Sequence, residues 1–133
     1  MDFGYRFLII INSGGIVEKE GRIDVLVNNA GYALAGAVDD LSIEEEGKAL
    51  FETNFWGVTR TVKATLPYFR KQGSGQIINV ASIGGLIGFP YQEYYCASKF
   101  ALEGYTESLA ISNAKLNIKV FPSRCFDLPP IFT

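Results

Sequence analysis

The feature that most restricts this chain is a set of short, mainly apolar runs set far apart. They occupy residues 7–11, 24–27, 76–81 and 118–121 and are rich in Ile and Val. Each has strand length, and the first two are continuous in their apolar residues, which is what a strand covered on both faces requires. Between the last three lie segments long enough for helices. Strand, helix and strand in that order point to βαβ units, so the expected fold class is α/β with a doubly wound parallel sheet.

The intervening segments carry helix and turn signals. Residues 16–22 read as the tail of a helix ending at Gly21, and Asn12-Ser13-Gly14-Gly15 before them as turn chemistry. Ser42 and Glu45 match the S-x-x-E capping box that opens a helix over 42–53, with Gly47 as a weak point inside it. A second helix is expected over 55–71, with Val58, Val62, Leu66 and Phe69 near one face and an irregularity at Pro67. Gly73-Ser74-Gly75 turns the chain into the third strand, and a long helix follows over 94–113. Pro122, Pro129 and Pro130 predict an irregular tail.

Composition removes several functions. The chain has 133 residues, no His, two Cys and a formal net charge of −2. One domain accounts for that length. Without His, neither a Ser-His-Asp nor a Cys-His nucleophile exists, nor an HExxH zinc site. Cys96 and Cys125 form no CxxC pair, so no metal site is expected and both read as free thiols of a reducing compartment. Phosphate-neutralising clusters of Lys and Arg are missing, which argues against nucleic acid. The run at 7–11 is far short of the ~20 residues of a membrane span and too short for a secretory leader. A cytoplasmic location is the expectation.

Within the long helix, Tyr95 and Lys99 stand at i and i+4, one turn apart on one face. A Tyr hydroxyl has a reference pKa of ~10, and a neighbouring ammonium favours its ionised form, which makes such a pair a usable proton donor and acceptor. The spacing alone is weak, because chance can supply such a pair and, taken alone, a surface Tyr–Lys contact is the better explanation. Context adds weight. Asn28-Asn29-Ala30-Gly31 and Ser82 each follow a strand at its carboxyl end, the edge at which doubly wound sheets take ligands. Asn54 lies near the expected boundary between two helices. Without further context Ser82 reads as a turn residue, Asn54 as a helix-kink or capping residue, and Asn28 and Asn29 as strand-end hydrogen bonders. Cys96 reads as buried and inert, and Glu44-Glu45-Glu46 as a solvated helix face.

The blocks Asp24-Val-Leu-Val-Asn-Asn-Ala-Gly31, Thr53-Asn54, Asn79-Val-Ala-Ser82 with Gly84-Gly85, and Tyr95-Cys-Ala-Ser-Lys99 resemble the short-chain dehydrogenase/reductase family in order and spacing. Phe100-Ala-Leu-Glu-Gly104 looks most like the branch of steroid and retinol dehydrogenases. The resemblance runs over about 21–120. It implies an NAD(P)-dependent oxidoreductase that interconverts an alcohol and a carbonyl, with a small-molecule substrate. It assigns Tyr95 the proton transfer. Lys99 would tune the Tyr95 hydroxyl and bind the cofactor ribose, Ser82 would hold the substrate oxygen, and Asn54 would position Lys99 through water. Asn28, Ala30 and Gly31 would lie along the cofactor together with Tyr95 and Lys99. It also implies a homo-oligomer paired through helices 55–71 and 94–113.

The ends depart from the family. A Rossmann-like domain of this kind opens with a strand and a T-G-x-x-x-G-x-G turn, and no such run occurs in these 133 residues. The acidic or basic residue that separates NAD from NADP would lie in the same missing piece, so the preference is unreadable. After 120 no Pro-Gly turn follows, and 121–133 resembles nothing in the family. The expectation is therefore a single, truncated, Rossmann-like domain over 1–133 with an incomplete sheet, inactive as an isolated chain. The alternative is a non-enzymatic fragment that retains only the subunit-pairing helices.

Overall fold

The computed structural model describes residues 13–124. The apolar run at 7–11, Cys125 and the prolines at 129 and 130 lie outside them. The described elements are α1 (Ser13–Glu20), β1 (Val25–Asn28), α2 (Lys48–Phe51), α3 (Gly57–Gln72), β2 (Gly75–Val80), α4 (Glu93–Asn113) and β3 (Ile118–Ser123). Ser13, Gly14 and Gly15 open α1 instead of forming the expected turn. The glycine cost of ~1 kcal/mol per residue biases a helix end without forbidding it. The helix stops where expected, at Gly21, whose φ of +80 suits glycine and whose N–H donates to the Val17 carbonyl.

All three strands are parallel, in the order β1-β2-β3. Register aligns Leu26 with Ile77 and Ile77 with Val120, so these three share one face of the sheet. On that face lie α3 and α4, which contribute Val58, Val62, Phe69 and Leu102 to a buried cluster, with Leu66, Tyr105 and Leu109 packed against it. This is the face of α3 that the apolar spacing anticipates. Full burial of one such side chain is worth about 1.5–3 kcal/mol. Burial also pushes the Tyr105 hydroxyl above its ordinary pKa. Gly75 begins β2 because the Phe69 ring occupies the space that a Cβ there would fill.

Residues 43–72 are helical throughout, where the sequence suggested two helices with a break near 54. The break is a π-turn, Glu52–Trp56, and a second π-turn, Ile43–Gly47, opens the segment. A π-turn absorbs one extra residue without ending the helix. It also changes the capping box. Ser42 Oγ accepts from the Glu45 N–H at 3.2 Å as expected, but the reciprocal carboxylate on the Ser42 N–H is that of Glu46, at 2.6 Å. The wider turn brings the next side chain back over the cap.

Pro122 corrects the expected irregular tail. It lies inside β3 opposite Asn79. Among the described residues β3 is an edge strand, where a missing N–H costs no ladder bond.

Candidate functional site

The carboxyl ends of β1 and β2 and the first turns of α4 meet at one edge of the sheet. Ser82, extended at φ −157, caps the short 3-10 turn Ile83–Gly85, and its Oγ accepts from the Gly84 N–H at 3.1 Å. Gly84 is pressed between the candidate side chains. A methyl group there would stand 3.1 Å from Tyr95 Cε1 and 3.5 Å from both Ser82 Oγ and Phe89 Cε2. Gly85 is under similar constraint, since a Cβ would come within 2.8 Å of the Lys99 carbonyl. Two small residues thus let the loop after β2 lie directly on α4, which brings Ser82 beside Tyr95.

Lys99 is buried and its Nζ lies 6.0 Å from the centre of the Tyr95 ring. It donates to the Val80 carbonyl at 3.0 Å, two residues before Ser82. The loop after β1 closes the other side. A Cβ on Gly31 would stand 3.1 Å from Asn54 Oδ1 and 3.5 Å from Lys99 Nζ. Asn54, fully buried in its π-turn, clamps the next residue of that loop. Its Oδ1 accepts the Tyr32 N–H at 3.0 Å, and its Nδ2 donates to the Tyr32 carbonyl at 2.9 Å and to Ser98 Oγ at 3.1 Å. Asn54, Ser82, Tyr95 and Lys99, spread over 46 positions of sequence, are therefore drawn into one site.

Asn28 is placed differently from the rest. It is 4% exposed, and both functional atoms of its side chain are engaged, Oδ1 by Thr61 and Nδ2 by Asn79. Its amide supports the strand end from behind, while Ala30 and Gly31 remain at the accessible side of the loop. A cavity of about 230 Å³ adjoins this loop, lined by Asn28, Ala30, Thr53, Gly57 and Val58 and bounded by Glu52 and Arg60. Those two charges pair with each other, and the hydrogen bond that Arg60 donates to Glu52 raises the Arg60 pKa.

Sequence reasoning missed Ser98, whose hydroxyl bridges the Asn54 amide and the Tyr95 carbonyl at 2.8 Å, and it missed Thr106. Both are polar residues on the buried stripe of α4, a signal visible only once the apolar face of that helix is known.

Residues 12–123 match the family model described as short chain dehydrogenase. The chain is 52% identical over 105 residues to a 3-ketodihydrosphingosine reductase of Bacteroides thetaiotaomicron, an overlap of 79% of this chain and 39% of that protein. It is 47% identical over 92 residues to human 17-beta-hydroxysteroid dehydrogenase type 1, covering 69% of this chain and 28% of the relative. Among solved structures, a short-chain dehydrogenase from Streptomyces avermitilis superposes with a TM-score of 0.81 at 38% identity, over 88% of this chain and 43% of that one. An NAD+-bound xylitol dehydrogenase does so with a TM-score of 0.80 at 31% identity, over 88% and 45%. The chain thus spans less than half the length of these relatives. With four motif blocks gathered at one sheet edge and a family match over most of its residues, the chain belongs to the short-chain dehydrogenase family.

Proposed function

We propose that this site interconverts a secondary alcohol and its carbonyl, with NAD or NADP as the hydride partner. The observation that carries the reading is the convergence of Ser82 Oγ and the Tyr95 ring on Gly84, with the Lys99 ammonium beside Tyr95. The nicotinamide cofactor would supply or accept hydride at the carbonyl carbon. The residues present fit its nicotinamide-ribose end. Gly31 lets the loop after β1 lie against Asn54 and Lys99, and the Lys99 ammonium and Tyr95 hydroxyl provide donors there.

In the reducing direction the Tyr95 hydroxyl gives its proton to the substrate oxygen, and in the oxidising direction it takes that proton back. The Lys99 charge offsets the negative charge left on the Tyr95 oxygen. Ser82 receives the Gly84 N–H on its oxygen, so its own hydrogen is directed elsewhere and donates to the substrate oxygen as charge develops there. Asn54 holds the Tyr32 backbone and thereby the loop that faces Lys99.

The test is a chimera that joins this chain to the nucleotide-binding segment of the Bacteroides relative. Tyr95→Phe is expected to lower NADPH-dependent carbonyl reduction about 100-fold or more while cofactor affinity stays within about twofold. Equal turnover in the variant and the parent would overturn the assignment.

A second reading concerns association. Trp56 and Phe100 are about half exposed, and Ile111 is 74% exposed, on the 43–72 helical segment and α4. These outward apolar side chains support a homo-oligomer built through the two long helices, a role that survives even without turnover. Cys96 is a free thiol, which suits a cytoplasmic location. No helix among the described residues is long and apolar enough to cross a membrane.

A further inference from the structure

One layer above the apolar row Leu26–Ile77–Val120, the same face of the sheet carries a buried polar row. The Thr61 hydroxyl donates to Asn28 Oδ1 at 2.5 Å, and Asn28 Nδ2 donates to Asn79 Oδ1 at 2.8 Å. Asn79 Nδ2 donates to Thr106 Oγ1 at 2.9 Å, and the Thr106 hydroxyl donates to the Leu102 carbonyl at 2.7 Å. No member is more than 4% exposed.

The direction of the row is fixed from its α4 end. Thr106 has one hydroxyl hydrogen, and it is committed to Leu102, so toward Asn79 it can only accept. The Asn79 amide must therefore turn its nitrogen to Thr106 and its oxygen to Asn28, and Asn28 must turn its oxygen to Thr61. The single hydroxyl hydrogen of Thr61 then goes to Asn28 and not to the Val58 carbonyl 2.8 Å away. Neither amide can flip without breaking both of its bonds. An apolar row would bury similar surface without the penalty of about 1–3 kcal/mol that each unpaired buried group carries. What the polar row adds is direction and register.

Its ends matter to the site. Asn28 begins the loop of Ala30 and Gly31. Thr106 lies on α4 about two turns beyond Lys99, on the same helix face. Asn79 precedes Val80, the residue whose carbonyl receives Lys99 Nζ. β2 therefore grips α4 at two points. Lys99 is long and rotatable and cannot by itself fix the height of its helix, whereas the short Thr106 side chain can.

We propose that Thr106, acting through Asn79 and Asn28, is a positioning residue that sets the axial placement of α4. It thereby sets where Tyr95 and Lys99 stand relative to Ser82 and to the loop after β1. The catalytic consequence rests on the proposed function, while the row itself does not.

Thr106→Val removes the hydroxyl at nearly constant shape, and Thr106→Ser keeps it. In the 133-residue chain, the side-chain amide hydrogens of Asn28 and Asn79 are expected to exchange about tenfold faster in the Val variant and at the parent rate in the Ser variant. Unchanged exchange would overturn the row as a coupled unit. In the chimera, well below the unfolding midpoint, the Val variant is expected to lose about tenfold in kcat with substrate KM within twofold. The pH at half-maximal kcat should shift, and Ser should restore both. A lowered midpoint with the parent kcat and the parent pH profile would show a purely structural role and overturn the positioning claim. Where Thr106→Val does not fold, Thr61→Val opens the far end of the row and leaves the Asn79–Thr106 bond in place. Faster Asn28 exchange with a reduced kcat supports transmission along the row, and parent kcat refutes it. If the parent chimera shows no Tyr95-dependent turnover, the proposed function fails, and the exchange measurement still decides the row.

Discussion

The two faces of β1 differ sharply in exposure. Toward α3 and α4, Leu26 is 3% exposed and Asn28 is tied into the polar row. On the opposite face, Val25 and Val27 are 45% and 53% exposed. One strand of four residues therefore reads as a core strand from one side and as an unpartnered apolar surface from the other. The comparison shows that continuous apolarity in the sequence specifies two buried faces, while the described residues cover only one. The covered face also carries the site, because the helices that bury Leu26 are the ones that present Asn54, Tyr95 and Lys99.

The contrast breaks most directly by truncating neighbours on β1. Leu26→Ala is expected to cost about 2–5 kcal/mol of stability by urea denaturation, as buried large-to-small changes do. Val27→Ala, one residue on, should cost less than about 1 kcal/mol, limited to strand propensity. Equal losses would mean that the second face is as well covered as the first. A smaller effect comes from Val25→Thr combined with Val27→Thr, which keeps the β-branched shape and adds polarity. Stability should stay within about 0.5 kcal/mol, with reduced light scattering at high concentration if the bare face drives association. The floor of the scale is the exposed Lys48–Glu44 pair at i and i+4. Glu44→Gln should cost about 0.3–0.5 kcal/mol, screened by salt, and a larger loss would place that helix segment under tertiary constraint.

Much of this arrangement is legible in the sequence wherever the signal is local. The strand runs at 24–27, 76–81 and 118–121, the Ser42 cap and the Gly21 stop depend on residues within a turn or two of each other. Each appears in the structure to within a few positions. Tyr95 and Lys99 are one helical turn apart, so their shared face follows from spacing alone. The site is less legible at Asn54, where the expected helix boundary is a π-turn held by bonds to Tyr32 and Ser98.

What the sequence by itself determined is therefore the parallel α/β architecture, the family motifs and the identity of the candidate site residues. Tertiary structure alone decided how those side chains are spent. The Asn28 side-chain amide is engaged by Asn79, 51 residues away, and by Thr61, 33 residues away. Pro122 looks like a strand breaker and is accommodated because, among the described residues, β3 lies at an edge. Val25 and Leu26 are equally apolar in sequence and differ fifteenfold in exposure. The physical reason is common to all three. A backbone or side-chain preference acts over a turn, whereas a buried hydrogen bond or a covered face depends on which distant element packs there, and no local pattern records that partner.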